Sequence, residues 1–469
     1  MRESQSRSRR QRPPVQNRQP ANRSTRTRAA GVKNADVKNV SAKGTRAKGV
    51  DAKKSSTRSA GTDVSVPAGA GAAGGVSLFS PKASFKKVKK KFKVFSVRGG
   101  IDRVFLYILL SLLVFGLVML FSASYASSFY ESGDSYKYIR QQLIFAVLGC
   151  FVMMAISFFD YHHLHKFAFL ILGITIALLV AVVVLKGSSL VPRINGAYRW
   201  LFIGPINFQP SEVAKFALVL IFAHLMSINY DKMETFRYGV LPYVVLLALI
   251  AGLVIMEPHV SATLILVAIS AVMMYVGGVR LRWFGVAAIL ATAGVMYLVF
   301  FSGKFDYAML RIQGWLNPFD PPEGVDTWQT RQSLMAIGSG RLLGLGLAQS
   351  RQKYLYLPEP ENDFIFAIVC EELGFVGALV VIILFALLIW RGVIISLGAK
   401  DKFGMLLGIG LTAQVGIQTI LNICVVTNTL PNTGISLPFF SYGGTSLVML
   451  LAQMGILLSI SRTSNVDKV

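Results

Sequence analysis

Past residue 100 the chain is a succession of long apolar runs separated by short polar breaks. The runs lie near 103–124, 139–158, 167–185, 211–227, 238–256, 259–277, 283–302, 364–390, 403–426 and 442–461. Each is close to the roughly 20 helical residues that cross a hydrocarbon core, so the pattern predicts ten membrane helices. The Glu257-Pro258 pair marks a tight turn between the fifth and sixth. One polar break is much longer than the others. Residues 302–363 hold seven acidic and six basic side chains. In a chain otherwise dissolved in lipid, such a loop is the natural place for chemistry or recognition.

Composition agrees with a membrane body: 53% of residues are apolar, 15% are charged, and the mean hydropathy is +0.55. The formal net charge of +25 belongs mostly to one end. Residues 1–100 carry 25 Lys+Arg against 4 Asp+Glu, whereas 101–469 carry 23 against 19. The first hundred residues contain almost no large apolar side chain before Leu78, so they are expected to be a disordered basic tail. No signal-peptide core is read ahead of the first span. Few aromatics and tethering to a membrane argue against nucleic acid as the partner. Phe85, Val88, Phe92 and Phe95 recur at helical spacing among lysines, which fits either a short helix on the anionic inner leaflet or an unstructured juxtamembrane segment.

Loop charge orients the body. With the tail inside, the inner loops carry Lys166, Lys232, Arg237, Arg280, Arg282, Arg391, Lys400 and Lys402. Both ends are then cytoplasmic, and 302–363 lies outside between the seventh and eighth spans. The expected layout is a 1–100 tail, a 101–462 membrane domain and a short 463–469 cytoplasmic end. The outer loop after the third span departs from the charge rule, with Lys186, Arg193 and Arg199 and no acid. Its cations either reflect loop length or hold an anionic ligand.

Charges within spans are costly and need partners. Glu212 and Lys215 stand three apart on one helix face and can pair. Gln414, Gln418 and Asn422 form an i, i+4, i+8 stripe suited to interhelical hydrogen bonds. Glu371 and Glu372 enter the eighth span and require a partner cation or a water-filled cleft. His162, His163 and His165 have only Asp160 nearby, so an interfacial role fits better than a metal site. Cys150, Cys370 and Cys424 fall inside apolar runs and read as buried free thiols.

Five segments, in order, resemble the SEDS family of shape, elongation, division and sporulation proteins. They are MLFSASYA (119–126), GAYRWLFIGPINFQPSEVAKFAL (196–218), QSLMAIGSGRLLGLGL (332–347), PEPENDFIFAIVCEELGFVG (358–377) and LPNTGISLPFFSYGGTSLVMLL (430–451). The resemblance spans about 101–462, and the SLPFFSYGGTS phrase with the long tail leans toward the division members. It implies an all-α, ten-helix membrane fold. It also implies peptidoglycan glycosyltransferase activity on lipid II, a disaccharide-pentapeptide carried on undecaprenyl diphosphate, at the outer face of the plasma membrane. The partners it implies are a class B penicillin-binding transpeptidase and other division proteins at the septum. A lipid II transporter and an elongation- or sporulation-type polymerase are the alternatives.

A diphosphate leaves without a protonating acid, so one carboxylate base suffices. Charge building on the diphosphate needs Arg or Lys, or a divalent ion such as Mg or Mn; no cofactor is certain. The resemblance puts the base in an Asp-Pro pair ahead of Trp328-Gln-Thr-Arg-Gln332-Ser333, which selects Asp320, with Asp326 as the alternative because the spacing is about two residues longer here. Arg193, Arg199, Arg351 and Lys353 are the candidate cations for the diphosphate. Ser441, Gly443 and Gly444 open the last span, where backbone donors suit an anion. Gln209, Ser211, Glu212, Lys215, Asp363 and Glu371 complete the candidate polar set. His259 stands where many members have Asp, and Glu361-Asn362 where they have His-Thr; both departures count against a catalytic role at those positions.

Overall fold

The computed structural model describes residues 99–464 apart from 195–196, 205, 258 and 302–304. The basic tail, with its Phe85–Phe95 stripe, lies outside the described residues, as does the end from 465. Ten helices follow the predicted runs: α1 (Arg103–Ser132), α2 (Lys137–Ser157), α3 (His162–Val184), α4 (Pro210–Ile228), α5 (Leu241–Met256), α6 (Val260–Val276), α7 (Leu281–Phe301), α10 (Ile365–Leu397), α11 (Lys402–Val426) and α12 (Gly444–Thr463). Eight of these are long and apolar enough to cross a membrane, α5 together with the π-helical turn Phe236–Val240 that leads into it; α6 and the 281–294 part of α7 are shorter apolar helices. The large polar segment is itself partly helical, with α8 (Phe305–Leu316) and α9 (Trp328–Gly340). A small antiparallel hairpin, β1 (Leu201–Ile203) and β2 (Ile206–Phe208), precedes α4.

Polar side chains at helix ends set where the spans begin. Asp102 accepts the Phe105 N–H at 2.9 Å, satisfying an orphan donor of α1. Its second oxygen holds Arg391 of α10 at 2.8 Å, and its own N–H donates to Ser461 of α12. Arg462 donates to the Gly99 carbonyl, so both ends of the described body meet on one face. On that same face Asp401 accepts the Gly404 N–H at the start of α11, the Tyr161 hydroxyl and His162. The histidine cluster therefore ties helix ends together: His162 also meets Asp160 at 2.6 Å, and His165 pairs with His224 of α4.

The centre of the bundle is α4 and α11, whose apolar stretches are about two-thirds buried. α12 packs along α2, and α10 lies between α1, α9 and α11. Interiors this dry accept polar groups only with partners, and the predicted stripe on α11 follows that rule in part. Gln418 donates to the Ser436 carbonyl at 3.0 Å, and Asn422 donates to the Asp363 carbonyl at 2.8 Å and to Ile435. Gln414 and Asn422 are buried, with no hydrogen-bond partner for the side-chain carbonyl oxygen of either among the described residues. The three cysteines are free; Cys370 is buried, while Cys150 and Cys424 are only half-buried.

Candidate functional site

A cavity of about 580 Å³ opens on the face where the large polar segment lies. α4 supplies Glu212 and Lys215 to its wall, α11 supplies Gln418, and the start of α12 supplies Gly443 and Gly444. Loops contribute Arg199, Gln209, His259, Asp363 and Ser441.

Pro210 starts α4 at its first position, where the missing N–H costs nothing. Glu212 and Lys215 follow one turn apart and meet at 2.8 Å, as their spacing predicts. The Lys215 ammonium also donates to Gln418 Oε1 at 3.2 Å. One buried cation thus faces the cavity with two acceptors fixing its position.

His259 precedes α6 and lines the same wall. Its Nδ1 lies 3.2 Å from Ser211 Oγ and 3.5 Å from the Gln209 amide nitrogen. Burial, with Arg199 and Lys215 nearby, pushes the imidazole down to about 3, so it is neutral at physiological pH. Glu257, two residues earlier, is fully buried, and neither carboxylate oxygen has a hydrogen-bond partner among the described residues. That burial pushes its carboxyl up to about 8 against the opposing pull of Lys186 and Arg199. Asp363 is raised to about 6 by burial and by Glu359, with Arg199 acting against both. Desolvation lowers Arg199 itself, while Asp363 and Glu257 favour its charge.

The floor at α12 is stitched by backbone contacts. Ser441 Oγ accepts the Leu437 N–H at 2.7 Å and donates to the Asn362 carbonyl at 2.6 Å. The Gln142 side chain receives the Gly443 N–H at 3.2 Å and donates to the Ser441 carbonyl. The Gly443 N–H is thus already engaged by a side chain, so it is not an idle donor awaiting an anion. Sequence reading passed over Gln141 and Gln142; their signal is two adjacent amides early in an apolar run.

The expected residues do not all converge. Arg199, Gln209, Glu212, Lys215, Asp363, Ser441, Gly443 and Gly444 share the cavity, with Ser211 behind His259. Arg193 is exposed away from its lining. Asp320 and Asp326 are exposed on the segment between α8 and α9. Asp326 has a local task, accepting the Trp328 N–H at 2.9 Å at the start of α9, whereas no side-chain hydrogen bond occupies Asp320 among the described residues. This segment is tied to the cavity rim: Gln329 receives Asn432 Nδ2 at 2.8 Å, two residues before the lining Gly434, and Trp315 and Asn428 exchange two hydrogen bonds of 3.0 Å.

Lys353 corrects an expectation. Predicted as a cation available to a ligand, it is 2% exposed and spends its charge on Glu372 at 2.9 Å, with Ser122 at 3.1 Å. Glu371 corrects another, since neither a cation nor a cleft satisfies it. The Ser350 hydroxyl and the N–H groups of Arg351 and Gln352 donate to it. Arg351 is exposed beside this second cluster and does not line the cavity. Among the described residues no three His, Cys, Asp or Glu side chains converge as a metal site would require. The positive charge that the cavity itself offers is that of Arg199 and Lys215.

Residues 102–466 match the model of a family described as cell cycle protein, FtsW/RodA/SpoVE. The chain is 38% identical to stage V sporulation protein E of Bacillus subtilis over 363 residues, covering 77% of this chain and 97% of that protein. It is 37% identical to a probable peptidoglycan glycosyltransferase FtsW of Trichlorobacter lovleyi over 360 residues, covering 77% and 93%. Among solved structures, the rod shape determining protein RodA of Thermus thermophilus aligns with a TM-score of 0.56 at 25% identity, covering 78% of this chain and 98% of that one. A chain from a peptidoglycan synthase complex that coordinates polymerization and crosslinking aligns with a TM-score of 0.61 at 24% identity, covering 78% and 99%.

Proposed function

The chain belongs to the FtsW/RodA/SpoVE family of cell cycle proteins, the SEDS family that its motifs resemble, and on that premise we propose that it is a peptidoglycan glycosyltransferase that polymerises lipid II. The observation that carries this reading is the polar cavity on the large-loop face, where Arg199 and Lys215 stand among the Glu212, Glu359 and Asp363 carboxylates, tied at its rim to the segment bearing Asp320. A lipid-linked sugar diphosphate needs a polar recess with cations in reach of its phosphates, while its chain stays in the bilayer.

In the proposed reaction a hydroxyl of the acceptor sugar attacks the anomeric carbon of the donor. The new glycosidic C–O bond forms as the bond from that carbon to the lipid diphosphate breaks, with inversion. The hydroxyl proton passes to the Asp320 carboxylate, which is exposed and not held by a local side-chain contact. Asp326 is the weaker choice, because its carboxylate is engaged in starting α9. Arg199 and Lys215 stabilise the charge growing on the departing diphosphate, worth more in a water-poor cavity than in solution. Neutral His259 adds a hydrogen-bonding wall without adding negative charge. A divalent ion that accompanies the diphosphate would supply further positive charge there; the protein steps above stand on its own residues.

Similarity to proteins named FtsW supports septal wall synthesis during division. Resemblance to a chain of a peptidoglycan synthase complex supports a class B penicillin-binding transpeptidase as partner, alongside other division proteins. The test is direct: purified protein given labelled lipid II in detergent makes glycan strands, where a transporter alone makes none. A tagged copy concentrates at the septum; distribution along the side wall would assign it to elongation instead.

A further inference from the structure

After α9 the chain turns at Arg341 and runs back along the first turns of α10. The two exchange backbone hydrogen bonds in both directions. Phe375 and Val376 donate to the carbonyls of Arg341 and Leu342 at 2.9 and 3.1 Å, while Leu345 and Gly346 donate to the carbonyls of Glu371 and Glu372 at 3.0 and 2.9 Å. A regular helix has no such groups to spare. They are free because α10 breaks its helical geometry at Gly374, with φ 66° and ψ −165°.

The contact is backbone against backbone. A Cβ on Gly344 would lie 2.1 Å from the Glu372 carbonyl oxygen, and one on Gly374 would lie 2.3 Å from the Gly344 nitrogen. The far side of this segment is apolar and not covered by the described residues: Leu342 is 68% exposed, Leu343 80% and Leu347 52%. Phe375, Val376, Leu379 and Val380 continue the same exposed apolar character down α10.

Depth follows from a simple ruler. Arg391, ion-paired with Asp102, marks the face of the bundle where the chain ends meet. Counting back the roughly 20 residues that cross a hydrocarbon core reaches Glu371. The hydrogen bonds at 371–376 therefore fall at and just inside the opposite hydrocarbon boundary. A non-helical segment is tolerated there only when its backbone groups are paired, and here they are. Four leucines held on a fixed loop in water would instead form an exposed apolar patch with nothing to bury it. The single charge of 341–347, Arg341, sits shallow enough for its long side chain to reach headgroups.

The geometry points to a re-entrant element: residues 341–347 dip into the leaflet on the cavity side, and Leu342, Leu343, Leu345 and Leu347 contact lipid acyl chains. The large polar segment is thus not wholly in water. Its middle is anchored in the bilayer, and the Glu371 and Glu372 carboxylates clamp the stretch that climbs out, accepting from the N–H groups of Ala348, Ser350, Arg351 and Gln352.

Phospholipid carrying a diazirine in mid-chain, in nanodiscs with the unmodified full-length protein, tests this by peptide mapping after irradiation. Adducts are expected on 342–347 as on 375–380, and not on 320–326. Labelling of 375–380 without 342–347 would overturn the proposal. A second measurement uses a nitroxide at Leu343→Cys, with the native cysteines replaced. Relaxation by oxygen should match that of a Val380→Cys label, and a hydrophilic nickel complex should have little effect. Strong relaxation by the nickel complex at position 343 would contradict lipid contact.

Discussion

The Lys215 ammonium of α4 and the Gln418 side-chain carbonyl of α11 meet at 3.2 Å in the cavity wall, with Glu212 at 2.8 Å closing the arrangement. Two central helices are thus joined through the same cation that faces the proposed diphosphate. Lys215 is 2% exposed, whereas the Glu212 side chain, 15% exposed, keeps an edge on the cavity.

Lys215→Met is expected to destabilise the protein by about 1–3 kcal/mol, the cost of leaving the largely buried Glu212 carboxylate without its partner. The double variant Lys215→Met with Glu212→Gln should recover much of that loss while leaving polymerisation low. Thermal unfolding in detergent and lipid II turnover, run on the same samples, separate the two roles. Recovery of both stability and activity in the double variant would remove Lys215 from the chemistry.

Arg199→Gln addresses the diphosphate. Loss of one charge-assisted contact is worth about 1.5–3 kcal/mol, so lipid II use should weaken by about ten- to a hundred-fold. The melting temperature should move little by comparison. An equal loss in both would mean that Arg199 chiefly serves the buried carboxyls of Glu257 and Asp363.

Glu257 gives a pH signature. Its folded-state value, raised to about 8, lies above that of an unfolded glutamate near 4.5. Between those values the folded protein binds the extra proton, so stability falls as pH rises from about 4.5 to about 8. Glu257→Gln should flatten that part of a melting-temperature profile and raise stability at pH 8 relative to the parent. An unchanged slope would show that Glu257 ionises normally.

The apolar runs made the bundle helices legible, eight of them long and apolar enough to cross a membrane, because a span needs about 20 such residues in a row. Glu212 and Lys215 were legible too, since i, i+3 spacing fixes them on one face before any tertiary contact forms. Lys353 was not. Its partner Glu372 is 19 residues away, and only the turn after α9 and the break at Gly374 bring them together. Composition likewise made 302–363 read as a polar outer loop, with no sign of its contact with α10. The backbone pairing of Leu345 and Gly346 with α10 leaves no periodic trace in sequence. Arg193 and Arg199 look alike in sequence; the fold separates them, placing only Arg199 in the cavity lining.

The most direct test of the glycosyltransferase account is lipid II polymerisation by purified Asp320→Asn protein, measured with lipid II binding and thermal stability. The account predicts that glycan strands disappear while binding and stability stay close to the parent, and that Asp326→Asn retains most activity. Normal polymerisation by Asp320→Asn, with loss in Asp326→Asn, would contradict the assignment of the base.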